Sequence, residues 1–152
     1  MRVFRGADEI VRAVGETLGT SDWIQITQER VDTFAEATGD HQWIHVDVDR
    51  ARAESPYGGP IAHGYLSLSL LPALGWQIFS IEGATMGVNY GSNRVRFPSP
   101  VPVGSRLRLS AVLLEATPVT GGALQMVVEQ TMEIEGQTKP ALVAETVSRV
   151  VF

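Results

Sequence analysis

The sequence predicts an α+β fold in which an antiparallel sheet is wrapped around one buried helix. Residues 64–74 are apolar on nearly every face, and a helix with that pattern is buried on all sides. From about residue 85 onwards, apolar and polar residues alternate along long segments, as in antiparallel strands with one buried face. The 152 residues are enough for one domain, which we place at 1–152.

The elements of the N-terminal part are short. Residues 7–18 have apolar positions at helical spacing, and Gly19 is the expected C-cap. Residues 23–26 predict a short strand. Thr27 then caps a second helix, which Gly39 ends in a left-handed conformation. Four residues at i, i+3, i+4 and i+7 form the inner face of that helix: Val31, Phe34, Ala35 and Thr38.

The rest of the chain leads into and out of the buried helix. Residues 47–54 predict one or two helical turns, and the Pro and Gly content of 55–60 predicts a loop. Pro72 predicts a kink in the buried helix or the approach of its end. The most regular alternation lies in 107–113 and 124–135. Glycines predict two hairpin turns, at Thr120-Gly121-Gly122 and Glu135-Gly136-Gln137.

Composition argues against several classes of function. The net charge is −5 and no Lys/Arg-rich run is present, which argues against nucleic-acid binding. There is no cysteine, hence no disulfide, thiolate nucleophile or Cys-based metal site, and this fits a reducing cytoplasm. Asp8 and Glu9 interrupt the N-terminus where a signal peptide needs an apolar run, and no window reaches the ~18 apolar residues of a membrane span. We therefore expect a cytoplasmic protein that binds neither nucleic acid nor a membrane.

Two short motifs carry the chemistry. Asp40 and His45 are five positions apart, directly after the second predicted helix and Gly39. His63 and Gly64 then open the buried helix. A carboxylate and an imidazole can accept and return a proton, and backbone amides at a helix N-terminus stabilise a developing oxyanion. Two such loops, each leading into a helix, have the composition of the two halves of one active site.

Each of these residues also has a structural interpretation. Asp40 and His45 can be a cap and a satisfied polar side chain, while Gly64 can be a turn glycine and His63 a packing residue. Ser67 can bond Asp40 or its own helix backbone. The three histidines have no repeated ligand spacing, so no metal site is expected. No phosphate-binding or dinucleotide motif is present, and we expect no cofactor.

The two motifs resemble those of the MaoC-like dehydratases, also called (R)-specific enoyl-CoA hydratases of the hydratase 2 type. That family's pattern is roughly an aromatic residue, small residues, Gly-Asp-x-Asn-Pro-x-His and a downstream Ala-His-Gly. The resemblance runs from about residue 20 to the C-terminus, with one departure: Gln42-Trp43 replaces the Asn-Pro pair. The matching positions are Phe34, Thr38-Gly39-Asp40, His45, Ala62-His63-Gly64 and the basic-aromatic-proline segment 94–101.

This resemblance implies a hot-dog fold and a homodimer whose two sheets join edge to edge. It implies syn addition of water to a trans-2-enoyl-CoA, giving a (3R)-3-hydroxyacyl-CoA without a cofactor. Asp40 and His45 would activate the water, with base and acid not assigned between them, and the Gly64 N–H would bind the oxyanion. The supporting or substrate-binding positions are His63, Gln42, which would replace the family Asn, and Ser67.

Basic residues are candidates for binding the phosphates of coenzyme A. Arg94 and Arg96 lie on one predicted strand, and both numbers are even, so a regular strand presents them on the same face. Lys139 is a third candidate. The alternative is that all three belong to a solvated surface.

Two other functions are compatible with this fold. The first is a hot-dog acyl-CoA thioesterase, which usually has a carboxylate on or near the central helix. Residues 64–74 contain no Asp or Glu, which argues against it. The second is a non-catalytic acyl-thioester-binding protein, and the Gln42-Trp43 departure favours it.

Overall fold

The computed structural model describes residues 1–152 and places the apolar segment 64–74 against the inner face of a six-stranded sheet. The helices are α1 (Ala7–Arg12), α2 (Gln28–Thr38), α3 (Trp43–Val46), α4 (Val48–Glu54), α5 (Gly64–Ser69) and α6 (Leu71–Ile78). The strands are β1 (Arg2–Arg5), β2 (Thr17–Thr20), β3 (Ile24–Gln25), β4 (Phe79–Glu82), β5 (Met86–Arg96), β6 (Arg106–Val119), β7 (Ala123–Ile134) and β8 (Leu142–Val151). No helix is long and apolar enough to span a bilayer.

The main sheet is antiparallel throughout and runs in the order β2-β6-β7-β8-β5, with β3 pairing to the start of β6. β6 and β7 form a hairpin closed by the Val119–Ala123 pair, so the turn at Gly121-Gly122 is confirmed. The β7–β8 connection turns at Gly136 but is longer than a tight hairpin. β1 and β4 form a separate two-stranded parallel pair that the sequence patterns did not predict.

The period-two pattern of the strands gives the sheet one buried, apolar face and one charged face. The inner face is formed by Leu107, Leu109, Ala111 and Leu113 of β6 and by Leu124, Met126, Val128, Met132 and Ile134 of β7. On the outer face, Arg108 pairs with Glu133 at 2.7 Å and Arg106 with Glu135 at 2.9 Å. The apolar inner face of the sheet and the central helix form one hydrophobic core, as the α+β prediction requires.

The central helix is α5 continued by α6, with Leu70 between them in helical conformation. Pro72 lies in the first turn of α6, where a missing N–H removes no helical hydrogen bond, so the predicted interruption is present at this point. The prediction that this helix is buried on every side is wrong. Tyr65 is 69% exposed, and Trp76, just beyond the predicted segment, is 74% exposed, because one flank of the helix faces away from the sheet.

The helix predicted over 7–18 is also wrong in its second half. α1 ends at Arg12, and Thr17–Thr20 forms β2, which pairs with β6. Gly19, the expected C-cap, lies in this strand at an irregular point of the pairing, with φ 137°. Backbone pairing with a long central strand therefore outweighs the local helical spacing.

β5 forms one edge of the sheet. It pairs with β8 on one side, has no strand on the other, and is exposed along nearly its whole length. This strand follows the central helix in the chain and ends at Arg96, beside the start of α5. The edge and the N-terminus of the central helix thus lie next to each other.

Candidate active site

The local structure around α2 fixes the position of Asp40. The Thr27 side chain accepts the Arg30 N–H at 3.2 Å, which caps the start of the helix. Gly39 ends it with φ 78°, and its N–H donates to the Ala35 carbonyl at 2.8 Å. Only glycine adopts this left-handed turn readily, and the turn leaves Asp40 exposed at the start of the next segment.

His45 lies in α3, a short helix where the sequence patterns predicted a loop, and it is only 6% exposed. Its Nδ1–H donates to the Ile61 carbonyl at 2.6 Å, so its Nε2 keeps a free lone pair in the neutral ring. Two further bonds hold the segment in place. The Gln28 amide donates to the His45 carbonyl at 2.7 Å, and the Ile61 N–H donates to the Ile44 carbonyl at 3.0 Å.

His63 joins the two sequence motifs. It is 2% exposed, and its Nε2–H donates to the backbone carbonyl of Asp40 at 2.9 Å. Its ring stacks on His45 with a centroid separation of 3.9 Å and an interplanar angle of 28°, and it also contacts Phe34 at 5.0 Å. The aromatic position, the Asp–His pair and the Ala-His-Gly block therefore form one cluster.

The reactive atoms of this cluster are close enough to share a water molecule. One side-chain O or N from each of Asp40, His45 and His63 lies within 4.8 Å of the others. Two groups that each hydrogen-bond the same water at ~2.8 Å can be up to ~5.6 Å apart. In a metal site, by contrast, the lone pairs must converge on one ion, whereas two stacked imidazoles direct theirs along nearly parallel planes. The arrangement suits a bound water better than a metal ion.

The environment of His45 favours its neutral form. Burial lowers the pKa of this imidazole below its ordinary value of 6.5, and the neighbouring His63 lowers it further. The bond to the Ile61 carbonyl and the charge of Asp40 act in the opposite direction but do not outweigh burial. A neutral ring with a free Nε2 is a ready proton acceptor at neutral pH.

Gly64 is the first residue of α5, where the backbone N–H has no acceptor within the helix. A Cβ at this position would lie 3.2 Å from the ring of Phe97, closer than ordinary packing allows. Phe97 also meets Tyr65 edge-on at 6.1 Å. Glycine thus allows Phe97 to pack closely here, independently of any ligand.

Ser67 and Gln42 make fewer contacts than expected. Ser67 is buried, but its hydroxyl bonds neither Asp40 nor the helix backbone, so both bonds considered from the sequence are absent. Gln42 precedes α3, its N–H donates to the Asp40 carboxylate at 3.4 Å, and its side chain is exposed without a hydrogen-bond partner. Its amide is free to meet a ligand.

The two arginines of β5 point to the same side of the sheet. Arg94 and Arg96 are opposite Glu145 and Val143 of β8, and Val95 between them packs against the core. Both side chains are exposed and neither forms a salt bridge. Lys139 is exposed in the β7–β8 connection.

A cavity that no sequence pattern predicts lies between the central helix and the sheet. Its volume is about 610 Å³, and the helix contributes Leu68, Leu71 and Gly75 to its wall. Its other walls come from β4, β5, β7 and β8, so residues from five segments meet there. Leu68 is one turn beyond Gly64 on the same face of α5, which places the cavity next to the candidate site.

Comparisons with known proteins give a consistent result. A family model described as the MaoC like domain matches residues 9–136. The chain is 50% identical over 151 residues to 3-hydroxyacyl-thioester dehydratase Z of Mycobacterium tuberculosis strain H37Rv, covering 99% of both chains. It is 46% identical over 145 residues to nodulation protein N of Rhizobium leguminosarum bv. viciae, covering 95% of this chain and 90% of that one.

Solved structures with low sequence identity share the fold. A monoamine oxidase regulatory protein from Archaeoglobus fulgius superposes with a TM-score of 0.81 at 22% identity, covering 98% of this chain and 95% of that one. The (R)-hydratase from A. caviae involved in PHA biosynthesis superposes with a TM-score of 0.69 at 23% identity, covering 89% and 94%. At these identities the likeness shows the fold alone.

Proposed function

The chain belongs to the MaoC-like dehydratase family and has its hot-dog fold, and from this premise we propose that it is an (R)-specific enoyl-CoA hydratase. It is an enzyme of the hydro-lyase class, as its full-length similarity to a 3-hydroxyacyl-thioester dehydratase supports. The reaction is the reversible syn addition of water to a trans-2-enoyl-CoA, giving the (3R)-3-hydroxyacyl-CoA. The cysteine-free sequence is consistent with the cytoplasmic location predicted for it.

One observation carries this proposal: the Nδ1–H of His45 is bonded to the Ile61 carbonyl, which leaves Nε2 of the neutral ring free, and a ring nitrogen of His45 lies within 4.8 Å of an Asp40 carboxylate oxygen. In the hydration direction, His45 Nε2 accepts a proton from a water that Asp40 helps to orient. The water oxygen bonds to C3, the double bond opens, and the Asp40–His45 pair returns a proton to C2. The water and the returning proton come from the same side of the chain, so the addition is syn.

The thioester oxygen gains negative charge as the double bond opens, and the Gly64 N–H is placed to bind it. This amide is free, and it lies at the N-terminus of a helix that α6 continues. A fixed donor of this kind acts most strongly on the enolate, where the charge is greatest. Gln42, exposed beside Asp40, is placed to orient the water in the manner of the family Asn.

Arg94 and Arg96 are the proposed ligands of the coenzyme A phosphates. Neither forms a salt bridge, both are on the same side of β5, and this strand leads into Phe97 beside Gly64. A thioester bound at Gly64 can therefore extend its nucleotide end along this strand. Charged contacts to phosphate are among the stronger hydrogen bonds in proteins.

We propose that the enzyme is a homodimer joined along β5. The free edge of this strand presents unpaired N–H and C=O groups, and Val88 and Tyr90 are exposed on it. Tyr65 and Trp76 add exposed aromatic surface on the adjacent helix. A second copy pairing its own β5 across a twofold axis covers both surfaces at once.

Light scattering at micromolar concentration tests the dimer, and we expect twice the 16.5 kDa mass of one chain. Val88→Lys on β5 should shift the mass towards the monomer, since it puts a charge into the joined edge. Val11→Lys, at an equally exposed valine of α1, is the matched control and should leave the mass unchanged. A wild-type mass near that of one chain would exclude the proposed assembly.

Incubation with crotonyl-CoA tests the reaction and separates it from the two alternatives. Hydration removes the enoyl absorbance and releases no thiol, hydrolysis releases free thiol, and a binding protein does neither. We expect loss of absorbance without thiol. The absence of acidic residues from α5 and α6 argues against the thioesterase.

A further inference from the structure

The mechanism proposed above gives His63 no part in the chemistry, yet its imidazole is almost completely enclosed. It is 2% exposed and makes one side-chain hydrogen bond, from Nε2–H to the Asp40 carbonyl. Its Nδ1 is buried and has no partner. Because that single bond requires the proton on Nε2, it fixes the tautomer of the neutral ring.

The Asp40 carbonyl receives no other hydrogen bond from the chain, so His63 determines where this peptide lies. The carboxylate of Asp40 is otherwise bonded to the Gln42 N–H alone, at a long 3.4 Å. Removing the His63 donor therefore frees the segment that carries the carboxylate. A misplacement of ~1 Å at a reacting group can cost ~10²-fold in rate.

His63 also lies face to face with His45, at a centroid distance of 3.9 Å and with both rings buried. At this separation, and away from water, a positive charge on one ring opposes a positive charge on the other. The stacked ring of His63 therefore opposes protonation of His45.

We propose that His63 is a positioning residue: its Nε2–H holds the Asp40 peptide in place, and its stacked ring keeps His45 in the neutral form with Nε2 free for water. The His45 part of this inference rests on the proposed function. The effect on Asp40 depends on geometry alone.

The surroundings of His45 limit what else can act on its protonation. From the loop after α2 it faces Asp40, whose charge raises the pKa of His45, and from the start of α5 it faces His63, which lowers it. The sheet and α4 contribute no ionisable group that acts on it. Phe34 adds an apolar ring against His63. A change at His63 is thus expected to show directly in the titration of His45.

NMR of the ring nitrogens tests this directly, because the chain has only three histidines. In the neutral wild-type protein, we expect His45 as the Nδ1–H tautomer and His63 as the Nε2–H tautomer. In His63→Gln the titration midpoint of His45 should rise, because the second titratable ring is gone. His41→Gln, at the exposed histidine, is the matched control and should leave that midpoint unchanged. An unchanged midpoint in His63→Gln, or the opposite tautomer of His63 in the wild type, would overturn the proposal.

Kinetics give a second, independent measurement. His63→Phe keeps an aromatic ring against His45 but removes the donor to Asp40, so kcat for crotonyl-CoA hydration should fall roughly ten- to hundredfold with little change in KM. A variant with wild-type kcat would contradict the positioning of Asp40. If the His63 variants fail to fold, the tautomers of His45 and His63 measured by NMR in the wild-type protein still test the proposal. If the wild type does not hydrate crotonyl-CoA, the proposed function fails, while the NMR result stands.

Discussion

The sheet and the site segment, residues 38–64, are stabilised in different ways. In β6 and β7, many side chains share the burial, and each strand is paired along most of its length. In the site segment, a few single hydrogen bonds to backbone carbonyls hold the geometry, such as His45 to Ile61 and His63 to Asp40. A substitution in the sheet should therefore change stability, and one in the site segment should change turnover.

The largest effect on stability is expected in the sheet. Leu109 is fully buried on the inner face of β6, and Leu109→Ala leaves a cavity in the shared core. We expect the free energy of unfolding to fall by about 2–5 kcal/mol, measured by urea denaturation. Turnover per folded molecule should stay near that of the wild type. A large loss of kcat in the folded variant would show that the core and the site are not separable.

The largest effect on turnover is expected in the site segment. Asp40→Asn and His45→Gln should each reduce kcat for crotonyl-CoA hydration about 10²-fold or more, because each removes a group that holds or moves a proton in the proposed mechanism. The unfolding free energy of Asp40→Asn should change little, since the residue is exposed. Near-normal turnover in either variant would refute the assignment of the pair.

The same contrast explains how far the sequence could predict each region. β6 and β7 were predictable because their period-two pattern is local and repeated. Motifs were enough to propose the residues of the candidate site, but the bond from His63 to the Asp40 carbonyl joins residues 23 apart and has no sequence pattern. The prediction of a loop over 43–46 is wrong, because a single helical turn has no periodicity by which a sequence pattern could reveal it. The helix predicted over 7–18 failed because pairing of β2 with β6 is a long-range contact.

A smaller effect is expected where the sheet and the site meet. Arg94→Ala or Arg96→Ala should raise KM for crotonyl-CoA several-fold and leave kcat nearly unchanged, because a phosphate contact helps ground state and transition state alike. The difference from wild type should shrink at high salt and with a short thioester that lacks the nucleotide. Arg106→Ala, on β6 at a paired arginine, is a control expected to leave KM unchanged. An unchanged KM in both β5 variants would show that the two arginines only belong to a solvated strand face and do not bind coenzyme A.

The smallest expected effect is on the unfolding free energy, which should depend on pH through His45 of the candidate site. Folding lowers the pKa of His45 from its ordinary value of 6.5, chiefly through burial. Below pH 6.5 the unfolded chain therefore binds more protons at this residue than the folded chain, so stability falls as the pH falls from there towards the lowered pKa. Well above pH 6.5 the residue is neutral in both states and adds no pH dependence.

Urea denaturation above and below pH 6.5 measures how much stability is lost on acidification. The variant His45→Gln shows which part of that loss comes from His45. The variant should lose the part of the acid destabilisation that comes from this ring, while His41→Gln should keep it. The pH profile of kcat/KM should report the same protonation of His45. We expect kcat/KM to fall on acidification only below pH 6.5, because the proposed hydration needs the neutral ring. If His45→Gln and the wild type lose stability equally on acidification, the ring is not held neutral by the fold. Its readiness as a base would then have to come from the bound substrate and not from the stacked, carbonyl-bonded geometry of the free enzyme.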